Sequence, residues 1–320
     1  MKHEETAVSR PRISSPLLLL LSIFSLTLAV VLALSPAKKT EPASVADISA
    51  NTATALTQPT IVAAAPIEVS LPEQAQLDVS WGDLGPQLVA AGAIDADRFM
   101  QLYADAGRPL TFAQKRILNE GSDEPVVIDF QNARFLLNFF WALGLVNQNP
   151  ILTEGPMMQA SEGNIGRFAS TGGWTLGHHH AAELYASVPL ITLTPEQQAR
   201  LEEVAENVYR PCCNNHTAFA DCNHGMAMLG LLELLASQDV PVKEMFAAAK
   251  AVNGFWFPQQ ALETAVFFKA TMNLDYTAVD PWLAVGPDVF SGSGFQQVHQ
   301  WLADNNLLEQ PQGGGNSCGV

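Results

Sequence analysis

The sequence predicts a mainly α-helical protein, a single multi-helix bundle of the orthogonal type set behind an N-terminal transmembrane helix and a disordered tether. Three observations carry that expectation: helix-start chemistry recurs along the chain, two segments are apolar on nearly every side, and β-branched runs are scarce. Of the 320 residues, 48% are hydrophobic and 15% charged, which supplies ample apolar side chain for a core. No repeat at a period of about 20–50 residues points to a solenoid.

Residues 1–16 are polar, carry Lys2, Arg10 and Arg12, and are expected in the cytoplasm. Residues 17–34 hold no charge and are interrupted only by Ser22, Ser25 and Thr27, a run close to the length that spans a bilayer core. The basic residues before it outnumber Lys38 and Lys39 after it, so the run reads as a single-pass signal-anchor with the C-terminal domain extracytoplasmic. The alternative is a cleaved signal peptide and a secreted product. Ser35 and Ala37 would be the small residues of the cleavage site, with Pro36 between them opposing it. Residues 35–75 are dominated by Ala, Pro, Thr, Ser and Val, the composition of a linker that cannot nucleate a core.

The helical domain is expected over residues 76–310. Thr111 and Gln114 form a capping box ahead of Ile117 and Leu118, and Thr194 and Gln197 form another with Pro195 at the first helical position. Leu201, Val204, Ala205 and Val208 continue the second helix on one face, which should end near Tyr209 because Pro211 opposes continuation. Ser293 and Gln296 suggest a third box ahead of Val298 and Leu302. Residues 135–145 (FLLNFFWALGL) and 226–236 (MAMLGLLELLA) read as central buried helices. Their polar members, Asn138 and Glu233, are expected on sides that meet solvent or another helix. Residues 126–128 are the one strand signal, and residues 311–320 form a Gly-rich tail holding Cys318.

Formal net charge is −16. The segment up to Lys39 contains five Lys/Arg and two Asp/Glu, leaving 11 basic against 30 acidic residues beyond it. Such a surface repels phosphate backbones, which argues against nucleic acid as a partner. No Gly-x-Ser-x-Gly elbow or P-loop is present, and Gly292-x-Gly294 lacks the third glycine of a dinucleotide fingerprint. No catalytic residue is assigned, and a non-enzymatic role is favoured.

Residues 211–224 (PCCNNHTAFADCNH) gather three of the four cysteines and two of the seven histidines between two helices, a connection longer than packed helices usually need. Three readings follow. Cys212, Cys213, His216, Cys222 and His224 could hold copper or zinc, with Cys318, Met226, His179, His180 and Glu183 as further candidate ligands. A disulfide staple is the plainest account, with Cys222 bridged to Cys212 or Cys213 and Cys318 taking the remaining thiol, in a binding or assembly module of the cell envelope. Thiol redox chemistry would use Cys222 at the start of a helix that Asn223 could cap, although no Cys-x-x-Cys exists. The metal reading is taken forward; it implies the membrane and an envelope or metal-transfer protein as partners. Aromatic and amide groups at residues 255–260 and 295–301 would form a groove only if Trp256 and Trp301 shared one face.

Overall fold

Helices make up most of the described residues, with two short strands in their N-terminal part. The structure, a computed structural model, describes residues 67–308; the segment 17–34 expected to span the membrane, the expected linker as far as residue 66 and Cys318 lie outside the described residues. In chain order the main elements are β1 (Gln74–Gly82), α1 (Leu84–Ala90), α2 (Ala96–Asp105), α3 (Phe112–Glu120), β2 (Ser122–Asp129) and α4 (Ala133–Val146). After several short helical turns come α5 (Pro195–Ala205), α6 (Asn223–Ser237), α7 (Val242–Trp256), α8 (Pro258–Met272) and α9 (Gly292–Asp304). No helix among the described residues is long and apolar enough to cross a membrane.

Two of the three predicted capping boxes form. The Thr111 hydroxyl accepts from the Gln114 N–H at 3.2 Å while the Gln114 carboxamide accepts from the Thr111 N–H at 2.9 Å, and Thr194 and Gln197 repeat the arrangement at 3.3 and 2.9 Å. The third box does not form. Ser291, not Ser293, caps α9 by accepting from the Gly294 N–H at 3.0 Å, because the preceding turn ends at Phe290 and leaves Ser291 extended. Helix α5 stops at Ala205, a turn earlier than Tyr209; the Glu206 and Val208 N–H groups are satisfied within that last turn.

The strand expected at residues 126–128 is the inner part of β2, which pairs antiparallel with β1 in the register Gln74↔Asp129 and Gln76↔Val127. Strand β1 carries no continuous β-branched run. Leu77, Val79 and Trp81 nevertheless alternate inward and are buried, with the Trp81 ring edge-on to Phe139 at 5.1 Å. Just before it, Ile67, Val69 and Leu71 pack on a second apolar cluster built from α8, α9 and the turns between them.

Helices α4 and α6 form the centre, and both are buried along nearly their whole length. They approach so closely that a Cβ on Gly144 would collide with the Met226 carbonyl, and one on Gly230 with the Phe140 carbonyl. Backbone on both sides of the contact leaves no flexible group to yield. Gly144→Ala is expected to destabilise the domain by about 1–3 kcal/mol, read as a lower urea midpoint at unchanged slope.

Neither polar residue of these helices meets solvent. Asn138 is buried and donates to the Tyr103 hydroxyl at 2.9 Å. Glu233 is 0% exposed, and both carboxyl oxygens lack a hydrogen-bond partner. Burial drives its carboxyl well above the usual carboxylate range, with the Asn147 amide pulling weakly the other way. The native state therefore holds a proton that the unfolded chain releases. Stability from this site is greatest below the ordinary carboxylate pKa and falls as pH rises through and beyond it. Glu233→Met, similar in size and without the orphaned oxygens, is expected to stabilise the domain by about 1–3 kcal/mol at neutral pH. Urea midpoints between about pH 4 and pH 8 should also decline less steeply in the variant than in the parent.

Candidate metal centre

The long loop after α5 is a closed structure. The Thr217 N–H and hydroxyl both donate to the Val208 carbonyl, at 2.9 and 3.0 Å, and Tyr209 and His216 form an antiparallel bridge across the loop's neck. Neighbouring elements then pin it. Tyr209 donates to the Val285 carbonyl at 2.8 Å, Gly292 donates to the Cys213 carbonyl at 2.6 Å, and Ser293 donates to the Asn214 side chain at 2.7 Å. On the opposite side the Ser170 N–H donates to the Asp221 carbonyl at 3.0 Å. A loop held at so many points keeps its side chains in register, which a preorganised site requires.

Arg210 lies at the middle of this loop and is 2% exposed. Its Nε donates to Cys222 Sγ at 2.9 Å, Nη1 to the Asn215 carbonyl at 3.0 Å, and Nη2 to the Phe219 carbonyl at 2.9 Å and to Asp221 Oδ1 at 2.6 Å. Asp221 Oδ2 accepts in turn from Asn215 Nδ2 at 2.8 Å. The guanidinium occupies the space beside Gly225, where a Cβ would stand 2.5 Å from Cζ. Glycine at that position is thus a condition for the arginine to enter.

Around this cation the thiols converge. Cys212 Sγ lies 3.6 Å from Cys222 Sγ, and Cys213 Sγ lies 4.0 Å from Asp221 Oδ1. Cys222 is itself the N-cap of α6, its sulfur accepting from the Gly225 N–H at 3.4 Å. Asn223, expected as the cap, is the first helical residue. Two sets of donor atoms fall within 4.8 Å of one another: Cys212, Cys222 and His224, and Cys213, Asp221 and Cys222. Cys222 belongs to both.

The three thiols are unequal. Hydrogen bonds from Cys212 and Cys213 hold Cys222 well below the usual thiol range, and the Arg210 charge adds to the effect against the cost of burial. Cys212 is pushed the other way by its hydrogen bonds to Cys213 and Cys222. Negative charge therefore settles on Cys222, where a helix start and a guanidinium both stabilise it.

His224 completes the first set from the first turn of α6. Its ring packs 4.4 Å from the Phe257 ring centroid, and its Nδ1 is buried with no hydrogen-bond partner. One ring nitrogen of His224 lies within 4.8 Å of the Cys212 and Cys222 sulfurs, and a buried imidazole beside two thiols is the donor chemistry that zinc and copper(I) take. These residues fit such an ion.

Among the described residues, His216, His179, His180 and Glu183 lie outside both sets. His216 stacks edge-on to Tyr209 at 5.9 Å, and burial lowers its pKa. Met226 is fully buried in the core. His179, His180 and Glu183 are exposed around a helix of only four residues, Ala181–Leu184, with His180 as its N-cap. None of the three belongs to a set of donor atoms within 4.8 Å of one another among the described residues. Nearby, His178 pairs with Asp95 at 3.4 Å. The two aromatic segments part company: Trp256 packs on the main core and Trp301 on the second cluster. Sequence reasoning missed Arg210, Asn215 and Asp221. Arg210 carried a usable signal, an isolated cation directly before Pro-Cys-Cys in a chain poor in basic residues.

The chain matches no protein-family model, no curated protein and no solved structure.

Proposed function

We propose that this domain binds one soft metal ion, copper(I) or zinc, through Cys212, Cys222 and His224, with Cys213 and Asp221 as an alternative set sharing Cys222. The observation that carries the reading is the convergence of these donors within 4.8 Å, on a loop held at both ends by hydrogen bonds. Thiolate and imidazole together suit an ion that prefers sulfur, and the Arg210 charge offsets part of the negative charge the thiolates bring together. No group in the set suggests turnover, so the role proposed is binding and transfer. In the whole chain, the orthogonal helical bundle would be carried outside the cytoplasm on the 17–34 membrane helix and the linker after it. A metal-donating or metal-accepting envelope protein is the partner class this implies. Competition between the reduced full chain and a chromogenic copper(I) chelator tests the reading: removal of one equivalent from the chelator supports it, and no removal refutes it. A parallel zinc titration identifies which ion is held more tightly.

A second reading has its own observation. The 3.6 Å separation of Cys212 and Cys222 and the stabilised Cys222 thiolate also suit a pair that cycles between dithiol and disulfide. Reactivity of one cysteine toward iodoacetamide that stays high well below the ordinary thiol pKa, in a chain that retains no metal, would favour it.

A further inference from the structure

Seven arginines lie among the described residues. Four have a carboxylate within 4.0 Å: Arg98, Arg167, Arg200 and Arg210. The remaining three, Arg108, Arg116 and Arg134, have none among the described residues, and all three line one groove of about 870 Å³ between α3, β2 and the start of α4. They are exposed. Where acidic residues outnumber basic ones 30 to 11 beyond Lys39, solvated arginines have many carboxylates to pair with. Three left unpaired on one concave surface make a local inversion of charge.

We propose that this groove binds an acidic oligosaccharide, a chain of uronate sugars. Guanidinium groups present a planar fork of donors that matches a carboxylate with two hydrogen bonds. Phe130, 54% exposed, lines the same groove and offers a ring face on which the C–H side of a sugar can pack, its own edge supported by Phe255 at 4.9 Å. Gln131 adds an amide group for hydroxyls, and Gln114 its amide N–H groups, its oxygen being held by the Thr111 N–H. An acidic peptide entering as a third strand is disfavoured, because the free edge of β2 is already closed. Asn132 donates to the Val127 carbonyl at 2.9 Å and accepts from the Asp129 N–H at 3.0 Å, and Pro125 has no N–H to give. The acidic groups on the groove are Glu124 and Asp129. The latter is engaged by the Gln131 and Asn132 N–H groups at 2.8 Å each.

Calorimetric titration of the full chain with trigalacturonate, its methyl ester and triglutamate tests this. Trigalacturonate is expected to bind with an affinity that falls as salt is raised, and the neutral ester about tenfold or more weaker. Each of Arg108→Gln, Arg116→Gln and Arg134→Gln should weaken trigalacturonate binding about tenfold, equivalent to about 1.4 kcal/mol, at unchanged melting temperature. Absence of trigalacturonate binding, binding by all three variants equal to the parent's, or triglutamate binding as tightly as trigalacturonate would overturn the proposal.

Discussion

Arg210→Met is expected to destabilise the domain by about 3–5 kcal/mol, the cost of removing one member of a buried charged network. The substitution strands four acceptors at once: Cys222 Sγ, the carbonyls of Asn215 and Phe219, and Asp221 Oδ1. The loop that carries them is tied to Val285, Gly292, Ser293 and Ser170, which restricts how far they can turn toward water. Arg210→Lys should recover little, because an ammonium has three donors and no planar fork to span a sulfur, two carbonyls and a carboxylate. Urea unfolding of the parent and both variants gives the measurement. A loss below about 1 kcal/mol for the methionine variant would mean that the network is relaxed by solvent and is not the frame of the site.

Cys222→Ser is expected to lower copper(I) or zinc affinity by about a hundredfold or more. Losing a group that merely orients a ligand costs about 10–100-fold; Cys222 belongs to both donor sets, so neither set keeps all its members once it is removed. Cys212→Ser and Cys213→Ser should each cost less, because either leaves one set with its members intact. Met226→Leu should leave affinity unchanged, since that side chain is core. Competitive titration across these variants ranks them, and a ranking in which Cys222 is not the most damaging would contradict the shared-ligand arrangement.

The helices were legible where local chemistry decides them. A capping threonine with a glutamine three residues on stabilises a helix start whatever packs around it, so α3 and α5 begin where their boxes stand. Segments apolar on all sides must be covered on all sides, which is why α4 and α6 lie at the centre. Strand β1 was not legible, because its inward alternation begins within the linker-like stretch that ends at residue 75. Its pairing with β2 is set by partners about fifty residues away in sequence. Glu233 is expected from the sequence to meet solvent or another helix, and only the first is excluded: the carboxyl is enclosed, with no hydrogen-bond partner on either oxygen.

At the site, residue type gave the candidate ligands, and spacing could not sort them. Cys212 and Cys222 are ten residues apart and reach 3.6 Å only because the loop closes between Val208 and Thr217. That same closure turns His216 toward Tyr209 and away from the thiols. The charge of Arg210 was visible in the sequence, but the burial that gives it force comes from tertiary packing.

The most direct test of a metal-binding thiol centre is a native, non-reduced mass spectrum of the full chain, produced in an oxidising compartment and supplied with zinc and copper(I) separately. Each disulfide lowers the mass by two hydrogens, and a retained ion adds its own mass. The account predicts that the Cys212, Cys213 and Cys222 thiols stay reduced and that the chain carries one ion, lost in Cys222→Ser. A mass showing two disulfides and no ion would contradict it and make the loop a covalent staple.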